Sequence, residues 1–281
     1  MKYDISCIVL TSDSYSRKFG CIEHTILALL NQQEIAQEII IVDNGIVHED
    51  KVRLAKFVSD VGNTVITLVS CNLSIAEARN FGAGHAAADL YVFVDEDTIL
   101  LEQDAQSQLL AVAKHAAYGY GADRKWTTPN WFENHADEVS DTLRERNYEL
   151  IKAHVAPPDP SIRKKSTEKY LTRTFIGNYG FMSKAAFEHL GGFPTEFKGY
   201  GLEDDAFCFL AYVSYGTPGN LSRIEVGHVT HPISALQFGE YETNLQLYNK
   251  LLKARGFAAF HIGDLLYPEQ VQLREVAEKI V

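Results

Sequence analysis

Tyr91-Val92-Phe93-Val94-Asp95-Glu96-Asp97-Thr98 is the stretch on which the reading of the fold turns. Four apolar, strand-forming residues run straight into three carboxylates. A Tyr/Val/Phe run without polar alternation reads as a strand buried on both faces. Such a strand delivers the residues after it to the carboxyl edge of a sheet, where open α/β folds bind ligands. Two carboxylates about 4 Å apart repel by roughly 4 kcal/mol at an effective dielectric near 20. Clustering them on a rigid strand end is costly unless a cation sits there. Oxygen ligands with an open side suit Mg²⁺ or Mn²⁺ shared with a substrate phosphate. A solvated acidic turn, its charges pointing apart into water, is the alternative.

On both sides of this stretch, strands and helices alternate. Ile5 to Leu10 and Glu38 to Val42 are short apolar strands, the second stopped by Asp43-Asn44-Gly45, and Thr64 to Val69 is a third. Gly20 to Gln33 carries Ile22, Ile26, Leu27, Leu29 and Leu30 at helical spacing, and residues 49–60 are helix-like. Ser74 with Glu77 three residues on forms a capping box for a helix expected to run to Ala88. The pattern implies an α/β fold with a mostly parallel, twisted sheet flanked by helices. From Gly119 to Lys169 the regularity fails, around Trp126, Trp131 and the basic run Arg163-Lys164-Lys165. A long irregular stretch in a compact domain is usually functional or mobile. Thr174 to Met182 reads as a strand whose glycines permit close approach of a backbone or ligand. Ser183 caps a helix to Leu190, and Glu203-Asp204-Asp205 opens another to Tyr215. Those carboxylates suit a helix N-terminus, so a plain cap is one reading of them. The expected organisation is one domain over 1–239, with 119–173 irregular, and a helical C-terminal appendage over 240–281.

Composition narrows the function. Of 281 residues 46% are hydrophobic, enough for a full core, and 26 basic against 37 acidic residues give a net charge of −11. That balance speaks against nucleic acid as the partner. It also means that docking on anionic lipid would require a local basic patch. Four scattered cysteines without a Cys-x-x-Cys pair fit a reducing cytoplasm. No run of about 18 apolar residues offers a membrane span, which leaves room only for peripheral contact with a membrane. No Gly-x-Gly-x-x-Gly follows the first strand, which excludes a Rossmann dehydrogenase.

The ordered set of motifs resembles a known family. Asp43 ends a strand, Ala78-Arg79-Asn80 follows, and an apolar strand enters Asp95-Glu96-Asp97. Gly191-Gly192-Phe193, Gly201-Leu202-Glu203-Asp204 and a histidine after a late strand complete the series. Over residues 4–232 this is similar to the GT-A nucleotide-diphospho-sugar transferases, especially family 2 glycosyltransferases. Asn178 to Asp205 looks like the C-terminal part of β-1,4-galactosyltransferases. Val226-Gly227-His228-Val229 is similar to the metal-histidine segment of polypeptide N-acetylgalactosaminyltransferases. The resemblance implies that Asp43 accepts the uracil N3–H, that the Thr11 region lines the base, and that Arg79 lies against the nucleotide. It implies that Asp95, with Glu96 beside it, reaches the ribose and metal region. Asp97 would hold the divalent ion, with His228 or its competitor His231 as a further ligand. Asp204 would be the base, and Glu203 would orient a sugar. A basic loop from Arg163 to Arg173 could lie over the diphosphate.

The implied activity is metal-dependent, inverting transfer from a UDP-sugar to a saccharide or glycoconjugate hydroxyl, with Mn²⁺ or Mg²⁺. Two alternatives stand beside it. A sugar-phosphate nucleotidyltransferase would need a Gly-rich basic loop where this chain has Thr11-Ser12-Asp13-Ser14. A non-catalytic nucleotide-sugar binding module would not need Glu203-Asp204.

Overall fold

The computed structural model describes residues 3–12, 15, 20–62, 65–128, 130–156, 176–199, 201–230 and 237–259. The expected basic loop, His231 and the chain after residue 259 lie outside the described residues.

A seven-stranded sheet forms the centre. Its first four strands are β1 (Ile5–Thr11), β2 (Gln37–Asn44), β3 (Ile66–Cys71) and β4 (Leu90–Asp95). The others are β6 (Tyr118–Tyr120), β9 (Gly180–Ser183) and β10 (Gly219–Asn220), and the order is β10-β6-β9-β4-β1-β2-β3. β1 pairs in parallel with both β2 and β4, and β3 with β2, whereas β9 runs antiparallel to β4 and β6. β1, β2 and β4 bury both faces because residues of alternating parity feed two core layers. Cys7, Val9, Ile39, Ile41, Val92 and Val94 point to one layer; Ile8, Ile40, Val42, Tyr91 and Phe93 point to the other.

The helices between the strands are α1 (Cys21–Leu30), α2 (His48–Asp60), α3 (Ile75–Ala83) and α4 (Ala105–Ala113). The capping box is present at Ser74 and Glu77. α3 stops at Ala83, short of the expected Ala88. There the N–H groups of Ala87 and Ala88 are taken by Glu38 Oε1, and that of Ala88 also by Ser6 Oγ, which draws the chain into β4.

The described part of the stretch expected to be irregular, residues 119–156, departs from expectation. It holds β7 (Asp123–Thr127), α5 (Trp131–Arg144), α6 (Glu149–Lys152) and β8 (Val155–Ala156). With β5 (Thr98–Leu100) and β11 (Glu225–His228), β7 and β8 form a second sheet in the order β5-β11-β7-β8. β7 escapes a periodicity reading because Asp123 to Trp126 are all only half buried. The expected strand beginning at Thr174 is also corrected: Ile176–Tyr179 forms a helical turn (α7), and extended backbone starts at Gly180.

α8 (Lys184–Leu190), capped by Ser183, and α9 (Glu203–Tyr215) follow as expected. The last helix among the described residues, α10 (Gln237–Lys253), packs Tyr241, Leu245, Tyr248 and Leu252 against Phe197, Leu202, Ala206 and Phe209. No helix among the described residues is long and apolar enough to cross a membrane.

Close approach of α3 to the sheet depends on Gly82, where an added Cβ would lie 2.6 Å from Val42 Cγ2 and 2.7 Å from Ile8 Cγ2. Alanine is the better helix former by about 1 kcal/mol, yet overpacking costs roughly 1–3 kcal/mol. Gly82→Ala is therefore expected to lower the urea midpoint; a raised midpoint would contradict this packing.

Candidate active site

The carboxyl edge of the central sheet brings together residues far apart in sequence. Register pairs Thr11 with Asp43 across β1 and β2, and Leu10 with Asp95 across β1 and β4. Thr11, Asp43 and Asp95 thus stand on three adjoining strand ends.

Asp43 is buried, and its carboxylate is well supplied with donors. Oδ1 accepts from the Ile46 N–H at 3.0 Å; Oδ2 accepts from Ser70 Oγ at 2.9 Å and faces Lys51 Nζ at 2.7 Å. The central residue of the acidic triplet turns away from its neighbours. Glu96 is 3% exposed and accepts from the Thr11 hydroxyl, while its backbone carbonyl accepts from Thr25.

Asp97 meets His228. β5 runs antiparallel to β11 with Thr98 opposite His228, and the Val229 N–H donates to the Asp97 carbonyl. This places Asp97 Oδ1 3.3 Å from His228 Nδ1, both side chains buried. Adjacent ligands of an octahedral ion with bonds near 2.1 Å lie about 3 Å apart, so the pair fits two positions on one divalent ion. Among the described residues no group of three or more His, Cys, Asp or Glu side chains is arranged to hold a metal. A metal there would draw its remaining ligands from substrate oxygens and water, as Mg²⁺ and Mn²⁺ commonly do. The Trp126 ring packs edge-on to His228, with centroids 4.3 Å apart. Register explains this contact, since β7 sets Trp126 opposite His228.

The sequence assigned Arg79 to a nucleotide contact. In the structure Arg79 is 6% exposed, and its guanidinium joins three carboxylates. Nη1 donates to Glu203 Oε1 at 2.9 Å and Asp204 Oδ1 at 2.6 Å, and Nη2 donates to Asp95 Oδ1 at 3.0 Å. Arg79 therefore ties the end of β4 to the start of α9. Burial works against its cation, but Asp204, Asp95 and Glu203 more than offset this and hold its pKa above the ordinary arginine value. Asp204 is pushed well above the usual carboxylate range, first by burial, against the pull of Arg79, and further by Glu203, Asp95 and Asp205. A buried carboxylate with raised proton affinity is suited to general-base work near neutral pH. Beside it, Glu203 Oε2 is buried and has no hydrogen-bond partner among the described residues. An unsatisfied buried carboxylate oxygen costs about 1–3 kcal/mol or more, and a ligand hydroxyl would relieve it.

Three supporting residues had weak signals in the sequence. Gly177 lies against the ion cluster, where a Cβ would fall 2.3 Å from Arg79 Nη2 and 2.9 Å from Asp204 Oδ2. Its glycine signal was legible; its partner was not. Asn80 clamps the Gly-Gly-Phe turn, accepting from the Phe193 N–H and donating to its carbonyl. Asn178 donates to Thr98 Oγ1 and accepts from Arg124, fixing the two sheets beside Asp97.

Comparisons with known proteins give the family and the fold. The profile described as glycosyl transferase family 2 matches residues 13–191. That is more than half of the chain, and the chain belongs to this family. A mannosyltransferase from Pyrobaculum calidifontis, solved with GDP-Man and Mn²⁺, superposes with a TM-score of 0.58 at 16% identity, over 91% of this chain and 64% of that one. TarS from S. aureus, residues 1–349, superposes with a TM-score of 0.60 at 14% identity, over 90% and 65%. Its complex with UDP-GlcNAc gives 0.61 at 14% identity, over 90% and 66%. At such identities these matches show the GT-A fold, and the chain spans about two thirds of the length of these structures. No curated protein sequence matches the chain.

The raised pKa of Asp204 has a consequence for stability. As pH rises from about 4, the unfolded chain ionises this group first, so the stability present below that pH is lost as pH climbs through the folded-state pKa. Asp204→Asn removes the titration. Its melting temperature is expected to gain on that of the wild type between pH 4 and pH 8, and a gap independent of pH would contradict the assignment.

Proposed function

We propose that the protein is a metal-dependent, inverting glycosyltransferase that moves a sugar from a UDP-sugar to a hydroxyl of a saccharide or glycoconjugate. The observation that carries this reading is the Arg79 bridge, which holds a buried, proton-avid Asp204 to the same guanidinium as the Asp95 strand end. Donor-side and acceptor-side groups are thereby fixed in one frame.

On the donor side, Thr11 and Asp43 line the edge for the base, and Asp95 faces the ribose and diphosphate. Asp97 and His228 would hold Mn²⁺ or Mg²⁺. When bound, such an ion acts as a Lewis acid that neutralises the leaving diphosphate. Two structural neighbours, one solved with GDP-Man and Mn²⁺ and one with UDP-GlcNAc, support a nucleotide-sugar donor and a divalent ion. The choice of UDP follows from the resemblance around Asp43.

On the acceptor side, Asp204 takes the proton as the acceptor oxygen bonds to the anomeric carbon. The carbon–oxygen bond to the diphosphate breaks, and the diphosphate leaves with the electron pair. Glu203 Oε2 accepts from a sugar hydroxyl next to the reacting centre. A base on α9, opposite the strand-end carboxylates, favours attack from the face away from the leaving group, hence inversion. On this reading the enzyme works in the cytoplasm, in glycan or glycoconjugate synthesis.

Two variants separate the roles. Asp97→Ala is expected to abolish Mn²⁺-dependent UDP binding. Asp204→Asn is expected to bind UDP as the wild type does and to lose turnover by a factor of about 100 or more. Retained transfer in the second variant would remove Asp204 from the base role.

A further inference from the structure

The loop that delivers Glu203 and Asp204 has an unusual backbone. Gly199 (φ +67°), Gly201 (φ +88°) and Leu202 (φ +71°) are all left-handed, a region costly for leucine. Such a conformation persists only where its surroundings over-determine it. Here the surroundings are the first turns of α10. A Cβ at Gly199 would meet the Glu240 carboxylate carbon at 2.1 Å, and one at Gly201 would meet the Tyr241 ring at 2.6 Å. Between these contacts lies Asn244, 1% exposed on an otherwise apolar helix face. Its Nδ2 donates to two backbone carbonyls, Lys198 O and Gly201 O, each at 2.9 Å. One amide nitrogen thus bonds two carbonyls of the loop. The next residue, Leu202, caps α9 and accepts the Ala206 N–H at 2.9 Å.

We propose that Asn244 is a positioning residue for the Glu203–Asp204 pair, and that α10 is the template which holds the base in register with Arg79. The inference rests on the base role assigned to Asp204. The profile that defines the family ends at residue 191, before both the pair and the helix that seats it. An apolar side chain at 244 would leave the Lys198 and Gly201 carbonyls without this donor, and the strained loop would relax toward ordinary φ values. Asp204 would then shift against a site that tolerates little displacement, since about 1 Å of misplacement can cost 100-fold in rate.

The test uses the full chain with Asn244→Ala and Asn244→Asp, the second matching asparagine in size but presenting oxygen to both carbonyls. Leu252→Ala is the control: it loosens the same helix about two turns further on, away from the loop. Both Asn244 variants are expected to lower kcat for transfer by about 100-fold, with the KM for the UDP-sugar nearly unchanged. Leu252→Ala, measured at equal folded fraction, is expected to keep kcat. Equal losses in all three variants would reduce Asn244 to a packing role and overturn the proposal, as would wild-type kcat in Asn244→Asp. Hydrogen exchange at the Ala206 amide reads the clamp without turnover. It is expected to quicken in both Asn244 variants, and unchanged exchange would overturn the clamp. A wild-type protein that transfers no sugar while its Ala206 amide responds to Asn244→Asp would instead refute the glycosyltransferase reading.

Discussion

One buried guanidinium governs this structure. Arg79 lies among Asp95, Glu203 and Asp204, and no other cation is seen bonded to these three carboxylates among the described contacts. Removing one partner from a buried ion cluster typically costs about 3–5 kcal/mol, because the charges left behind have no water to relax into. Much of the local architecture serves to put Arg79 there. The Ser74–Glu77 box starts α3, Gly82 lets the helix sit close on the sheet, and Gly177 clears the space the guanidinium fills. Glu77 is tied in turn to Lys198, and this pairing together with Ser74 holds its pKa down at about 2. The same short helix therefore anchors both the cation and the loop that carries its partners.

The sequence made β1, β2 and β4 legible because they are apolar on both faces, and β2 and β4 run into Asp43 and Asp95. The helices between them carry helical spacing and, at Ser74 and Ser183, side-chain caps. The second sheet was hidden for a physical reason. β7 reads Asp-Arg-Lys-Trp-Thr, and its stability comes from pairing with β11 a hundred residues away, not from local pattern. α5 was hidden likewise, since only Trp131, Phe132, Val139 and Leu143 of its fourteen residues are buried.

Within the site, residue type was easier to read than direction. The family resemblance paired Asp97 with His228, and the structure places them 3.3 Å apart. The inward turn of Glu96 to Thr11 and the outward reach of Arg79 to α9 depend on side-chain orientations that sequence spacing does not encode. Asn244 left one faint trace, a polar residue on the buried face of an otherwise apolar helical stripe. Functional demand and stability pull against each other here: buried carboxylates, an unsatisfied Glu203 oxygen and left-handed backbone all lie within one short segment. That concentration of cost is itself a mark of a working site.

The proposed function requires a cation-dependent seat for a nucleoside diphosphate at the strand-end carboxylates and His228. Calorimetric titration of UDP into the protein, with Mn²⁺ and then with EDTA, is the decisive experiment. Saturable heat is expected with Mn²⁺ and is expected to vanish with EDTA. Binding of equal strength in both conditions, or none in either, would contradict such a seat.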